Sequence, residues 1–375
     1  MRGKSSRQPS MFYAIDVDEM VPANHPLRPI KAFVDTELGR MSKAFDKAYS
    51  QTGRPSIPPE RLLKALLLQA LFSIRSERQL VEQIRFNLLY RWFIGMDPAE
   101  DAFDATTFTK NRDRLARYGI TSRFFEGIVR EMLRQELASE DHFTVDGTLI
   151  RAHASMKSLQ PIESGDDDPS PPEGKASRNT SVDFRGTRRT NATHRSTTDP
   201  EARLYSKGGS GTAAYLCHTA HLVTENRNGL IVAVAVDEAN GLAEREQALV
   251  MVDDIKRQHR LRAKTLGADK GYDGGSFFLD LEGREIEPHV ALRDGPIKGE
   301  TEESQARLRV KKRQRRRDYR ISQRKRKIVE EPIGWLKTVG GLMRTPFVGQ
   351  LKLRLSLEIK AAAYNLVRMA KLIPT

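Results

Sequence analysis

Residues 142–152 read HFTVDGTLIRA, and in this stretch β-branched and aromatic residues alternate with polar ones. A period of two is the mark of a strand with one buried face. Upstream the period is different. In PERLLKALLLQALFSI (59–74), RQLVEQIRFNLLYRWFIG (78–95) and TSRFFEGIVREMLRQEL (121–137) apolar residues recur at helix spacing. The change at His142 therefore divides the chain into a helical domain, 1–140, and a second domain, 141–375. Ser76 with Gln79 has capping-box spacing, and Thr121 is placed to cap the last upstream helix.

Downstream, residues 154–211 are rich in Ser, Thr, Pro, Gly, Asp and Arg and poor in large apolar residues. Such a composition buries too little surface to order itself, so a long mobile insertion is expected. AAYLCHTAHLVTE (213–225) and GLIVAVAV (229–236) flank an Asn-Arg-Asn-Gly turn and predict a β-hairpin. An amphipathic helix follows at 243–260. AKTLGADKGYD contains a short strand ending in an aspartate, GGSFFLDLEGR a helix, and EPHVALR another strand. A basic segment at 309–327 leads into IVEEPIGWLKTVGG, and a periodic C-terminal helix covers 353–372. The order of elements predicts a mixed α/β domain behind the helical one, an α+β or α/β class overall.

The chain has 375 residues and a net charge of +14, an excess of cations that suits an anionic partner. Nucleic acid leads and an anionic membrane is second. The run at 309–327 lacks the apolar face that membrane insertion needs. No stretch of eighteen apolar residues occurs, and MRGKSSRQPS lacks the apolar run of a secretory signal, so a cytoplasmic, nucleoid-associated location is expected. Cys217 is the sole cysteine, which excludes an intrachain disulfide and a multi-cysteine zinc site. TTFTKNRDRLARYG (106–119) puts Thr109, Lys110, Arg112 and Arg114 on a short helix after a turn. It reads equally as a DNA-recognition helix or as the solvated face of a bundle. Lys311 to Lys327 carries eleven Lys or Arg, among them Arg316, Arg317 and Arg324, against one Asp.

Cutting DNA requires an activated attacking oxygen, a stabilised leaving oxygen and a neutralised phosphate. Two divalent ions about 4 Å apart supply all three. Magnesium takes oxygen ligands and keeps several waters, so a few carboxylates from separate elements suffice. Asp146 ends FTVD and precedes Gly147; Asp269 ends TLGAD before a Lys-Gly-Tyr-Asp turn. Taken singly, each reads as well as a turn-capping aspartate. Glu330 has Arg326 four residues before it and Lys337 seven after, on one helical face, a spacing that a plain Arg326–Glu330 surface pair also explains. Pro332 belongs in a first helical turn, so the helix is expected to begin near Glu330 and to leave Arg326 in a loop. His218 and His221 point to opposite faces of a strand, which argues against joint ligation. His153 reads as a loop histidine, and KGGSG (207–211) lacks the context of a phosphate loop.

The blocks TVDGTLIRAHASMKS (144–158), GADKGYDG (267–274) and RKRKIVEEPIGWLKTVGG (324–341) resemble those of bacterial insertion-sequence transposases of the DDE class. VPANHPLRPI (21–30) and SIPPERLLKALLLQALFSIRSERQLVEQI (56–84) resemble the opening of the insertion sequence four and five superfamily. The resemblance implies an RNase H-like core, with Asp146, Asp269 and Glu330 as a triad binding Mg²⁺ or, in substitution, Mn²⁺. It also implies a signature of Tyr, two residues, Arg, three residues, Glu, six residues, Lys, matched by Arg326, Glu330 and Lys337. Gln323 stands at the tyrosine position, and Tyr319 is a turn earlier. Glu331 is the rival third carboxylate but fits the spacing less well. The implied partners are terminal repeats and target DNA, bound by Arg326, Lys337, Lys110, Arg112, Arg114, Arg316, Arg317 and Arg324 in a homodimer that pairs two ends. A DNA-binding protein without catalysis and a plain RNase H-like nuclease are the alternatives.

Overall fold

The computed structural model describes residues 16–50, 52, 56–162, 181–184, 187–206, 213–241 and 243–373. Before His142 the described chain is helical: α1 (Val17–Met20), α2 (Leu27–Arg40), α3 (Ser42–Ala48), α4 (Pro59–Leu71), α5 (Glu77–Phe86), α6 (Leu88–Ile94), α7 (Ala105–Arg117) and α8 (Ile120–Arg134). Local chemistry sets several starts. Ser76 Oγ accepts the Gln79 amide at 3.1 Å, and Asp104 accepts the amides of Thr106 and Thr107. Thr121 does not cap α8, which begins after Gly119 in the left-handed conformation; its hydroxyl is buried and donates to Glu358 at 2.7 Å.

The strands and remaining helices are β1 (His142–Arg151), β2 (Leu159–Pro161), β3 (Ser181–Phe184), β4 (Thr187–Thr190), β5 (His194–Ser196), β6 (Arg203–Tyr205), β7 (Tyr215–Glu225), β8 (Ile231–Glu238), α9 (Ala243–His259), β9 (Thr265–Ala268), α10 (Gly275–Gly283), β10 (Glu287–Val290), α11 (Glu302–Arg313), α12 (Arg317–Arg326), α13 (Glu330–Lys337) and α14 (Gln350–Leu372). The main sheet runs β8-β7-β1-β9-β10. β7 is antiparallel to both β1 and β8, β9 is parallel to β1, and β10 is parallel to β9. An antiparallel meander followed by two parallel strands added on the far side of β1 is the RNase H-like order. β6 pairs with the first residues of β7, beyond the end of β8.

Both faces of the sheet are covered. Phe143 and Val223 line a small gap with Val252 and Ile255 of α9. Successive strand residues alternate faces, so Thr144 lies on the opposite face. There a methyl group at Gly267 would stand 3.4 Å from Thr144 Oγ1 and 3.6 Å from Ser322 Oγ of α12.

The insertion expected to be mobile from 154 to 211 is ordered on both flanks. β2 pairs with β5, β6 joins the main sheet, and Ala152, Ala154, Leu159, Ala202, Leu204 and Leu216 form a small core of their own. A buried Asp199–His218 contact of 3.0 Å ties this lobe to β7. KGGSG lies outside the described residues.

The helices before His142 and the sheet share one continuous apolar core, and α14 runs through it. Glu358 on α14, 3 % exposed, accepts Thr121, Ser122 and Arg354. About two turns further along, Asn365 Oδ1 accepts the Ile231 amide at 2.9 Å while its Nδ2 donates to the Ile231 carbonyl at 2.8 Å. Replacing Asn365 with Leu leaves both buried backbone groups unmet, a cost of about 2 to 4 kcal/mol. The expected result is a lower denaturant midpoint at an unchanged m-value; an unchanged midpoint would show that α14 is not docked through this residue.

Candidate active site

Strands β1 and β9 are parallel and in register over three pairs, of which Thr144↔Gly267 is the last. Asp146 and Asp269 each lie two residues beyond that pair. With a side-chain period of two, both carboxylates sit on the face of Thr144, where the strands separate. Crevices at the carboxyl ends of neighbouring strands are where open α/β sheets bind ligands.

Each carboxylate is fixed by a following glycine. Asp146 Oδ1 accepts the Gly147 amide at 2.8 Å, and Asp269 Oδ1 accepts the Gly271 amide at 2.8 Å. A side chain at either glycine would intrude on the acidic groups. A methyl group at Gly271 would lie 2.9 Å from Asp269 Oδ1, and one at Gly147 would lie 3.1 Å from Glu244 Oε1. Close to them is Tyr272, 1 % exposed, whose hydroxyl has no hydrogen-bond partner among the described residues. Burial, and after it the charges of Glu244, Asp146 and Asp269, hold that hydroxyl well above the usual tyrosine range.

Glu330 is the first residue of α13 and is exposed. Arg326 does not fall in a loop: it ends α12, and a 3-10 turn at Lys327–Val329 carries helical dihedrals on into α13. Buried Val329 and Pro332 anchor the turn on either side of Glu330. Glu331 is turned elsewhere, to Arg368 at 2.9 Å. Gln323 donates to the His289 carbonyl, and the Tyr319 hydroxyl donates to the Val290 carbonyl at 2.9 Å, so both fasten α12 to β10.

The cations named from sequence separate into two groups. Lys110, Arg317 and Arg324 are exposed, and Arg326 and Lys337 are partly so. Arg112 is 4 % exposed, paired with Glu77 and Asp113 and stacked on Phe347, which contradicts a role in touching DNA. Arg114 lies over the Tyr49 ring, and Arg316 is paired with Glu287 and Asp318.

His221 lies against Gly147 and His218 bonds to Asp199, which keeps the two apart as the strand period requires. His153 is exposed, and the buried Cys217 thiol is pushed up to about 12 by desolvation. Among the described residues, Glu287, His289 and Asp318 bring three ligand-type atoms within 4.8 Å of one another. Arg313 and Arg316 already reach Glu287 at 3.1 and 2.8 Å, so guanidinium groups occupy the carboxylate that a metal ion would need.

Residues 138–366 match the family model described as "Transposase DDE domain", and residues 15–114 match the one described as "Transposase domain (DUF772)". The chain belongs to the DDE transposase family. It is thus an insertion-sequence transposase, and its family implies the use of a divalent metal. No curated protein is significantly similar to it. Among solved structures, the piggyBac transposase synaptic complex with hairpin DNA is 9 % identical, covering 94 % of this chain and 76 % of that chain at a TM-score of 0.40. The Mos1 transposase paired-end complex with left transposon end is 12 % identical, over 81 % and 84 % of the two chains, at a TM-score of 0.21. The Mos1 strand transfer complex is 13 % identical, over 82 % and 85 %, also at 0.21.

Asp146 and Asp269 suit a divalent ion in donor chemistry, and the glycines beside them leave room for a phosphate. The residue that sequence reasoning missed is Glu244. A glutamate in a first helical turn is what any helix favours, so it carried no signal of its own. The signal lay in topology: β8 runs in the same direction as β1, which starts α9 at the end of the sheet where Asp146 stands. Gly271→Ala, by displacing Asp269 Oδ1, is expected to cut the transposase reaction rate about 100-fold, as a misplacement near 1 Å can. The melting temperature should change little. A rate near wild type would show that the Asp269 position is not critical.

Proposed function

We propose that this transposase serves a bacterial insertion sequence of the four and five superfamily, with Asp146, Asp269 and Glu330 as its metal-binding triad and Mg²⁺, or Mn²⁺ in its place, as the ion. The observation that carries the reading is the matched placing of Asp146 and Asp269, two residues past the last parallel pair on separating strands. Bound ions would activate the attacking oxygen, stabilise the leaving one and neutralise the phosphate.

The protein's own residues do the positioning. The amides of Gly147 and Gly271 orient one oxygen of each aspartate, and the glycines admit the phosphodiester. In this reading Glu330, at the start of α13, supplies the third carboxylate, and Arg326 and Lys337, at helix spacing from it, face the DNA. Water attacks phosphorus at the element's end and frees a 3′-hydroxyl. That hydroxyl then attacks a phosphorus of target DNA and displaces a target 3′-oxygen, so one phosphodiester is exchanged for another with no covalent link to protein.

Residues 1–140 and the exposed cations Lys110, Arg317 and Arg324 hold the DNA, while Arg112, Arg114 and Arg316 support this surface through their protein contacts. Pairing two element ends requires two active sites, which favours a homodimer. The protein works in the cytoplasm at the nucleoid, in keeping with the lack, among the described residues, of any helix long and apolar enough to cross a membrane.

In an assay with labelled element ends and Mg²⁺, Asp146→Asn, Asp269→Asn and Glu330→Gln are expected to bind DNA within a few-fold of wild type and neither cut nor join it. Glu331→Gln, which removes the charge paired with Arg368, should stay active. If Glu331→Gln is dead and Glu330→Gln is active, the third carboxylate is misassigned. Cutting without joining would favour a nuclease, and binding without either a non-catalytic protein.

With about six to ten phosphates contacted, affinity should fall roughly 10³- to 10⁵-fold between 50 and 200 mM salt. A flat response would remove the electrostatic basis for DNA binding.

A further inference from the structure

We infer that Glu244 is a fourth carboxylate of the metal centre, its two oxygens facing the two aspartate turns. The inference rests on the reading of Asp146 and Asp269 as metal ligands and adds a residue to it.

The geometry is specific to Glu244. Its Oε1 would be 3.1 Å from a methyl group at Gly147, the residue whose amide holds Asp146. Its Oε2 would be 3.7 Å from one at Gly271, the residue whose amide holds Asp269. One carboxylate thus borders both turns, the position of a group that shares its oxygens between two ions. The three acidic groups do not come within 4.8 Å of one another as Glu287, His289 and Asp318 do. Ligands spread around two ions about 4 Å apart have no need to.

The second observation is Tyr272. Its hydroxyl is buried near the same three carboxylates with no hydrogen-bond partner among the described residues. A buried hydroxyl is normally satisfied, and a hydrated divalent ion, which keeps several waters, brings the missing partner. A helix-dipole role alone would not explain the placing, because Glu246 occupies the same first turn of α9 and is exposed.

The test uses the full chain without DNA and Mn²⁺ alone as the probe, with free Mn²⁺ followed by electron paramagnetic resonance. Glu244→Gln is expected to weaken the tightest Mn²⁺ site at least about tenfold. Glu246→Gln, which removes the same first-turn charge, should leave it unchanged. Glu244→Asp keeps the charge at the helix start but retracts it by one methylene, so it should also weaken binding; it serves if the glutamine variant fails to fold by circular dichroism. Asp146→Asn and Asp269→Asn report on the underlying site. If they weaken Mn²⁺ binding while both Glu244 variants bind as wild type, Glu244 is not a ligand and the inference is overturned. If the aspartate variants also bind as wild type, the metal centre itself is misplaced and the inference falls with it.

Discussion

The structure depends on β1 being held in one register from both sides. β7 pairs with it from Phe143 to Arg151, and β9 pairs with it only from His142 to Thr144. A slip of one residue in a strand exchanges its two faces, which would bury Asp146 against α9 and turn Phe143 and Val145 toward α12. The long antiparallel ladder prevents the slip. The short parallel one then sets where the strands part, and the parting creates the crevice. Asp146 and Asp269 are the first residues on their face beyond the parallel ladder, and Asp146 is still held by β7 through its pairing with Leu222.

The elements around this crevice answer a problem of like charge. A set of carboxylates costs free energy to assemble unless hydrogen bonds or cations oppose the repulsion. Here each aspartate draws on a glycine amide, and Glu244 stands at the positive end of α9. Those contributions are modest, and guanidinium groups are directed elsewhere. Arg307 is spent on Asp273 at 2.8 Å, and Arg309 and Arg313 on Glu282. These pairs engage Arg307, Arg309 and Arg313 on carboxylates other than Asp146 and Asp269.

Much of this was legible before any coordinates. The strand that starts at His142 and the β7–β8 hairpin follow from local patterning, and Asp269 does follow the last residue of β9; Asp146 does not end its strand, because pairing with β7 carries β1 on to Arg151. What sequence could not carry depends on distant partners. Arg112 reads as a solvated recognition-helix cation, and only the fold brings Glu77 and Phe347 to it. Thr121 has the chemistry of a cap, yet a glutamate 237 residues away claims its hydroxyl. The flanks of the insertion look too polar to order, but Asp199 and His218 meet where neither touches solvent, and the short strands β5 and β6 are held beside them. Burial overcomes composition there because the lobe leans on β7 rather than on itself.

The basic segment shows how one run of charge can serve two ends. Its pairs with Glu282, Glu287 and Asp318 lie partly in solvent, where such contacts contribute up to about 1 kcal/mol each and weaken with salt. If these pairs alone placed α12 and α13, salt would loosen Glu330 together with the DNA. The apolar anchors argue otherwise. Ala306, Val310, Val329 and Leu336 are buried along the same stretch, and the Tyr319 hydroxyl and Gln323 amide fasten it to backbone carbonyls of β10. Burial of apolar surface is not screened by salt, so Glu330 keeps its place as rising ionic strength weakens the exposed ion pairs. The dependence of the protein on salt should then be a property of its outer face, separable from the integrity of the carboxylates beneath it.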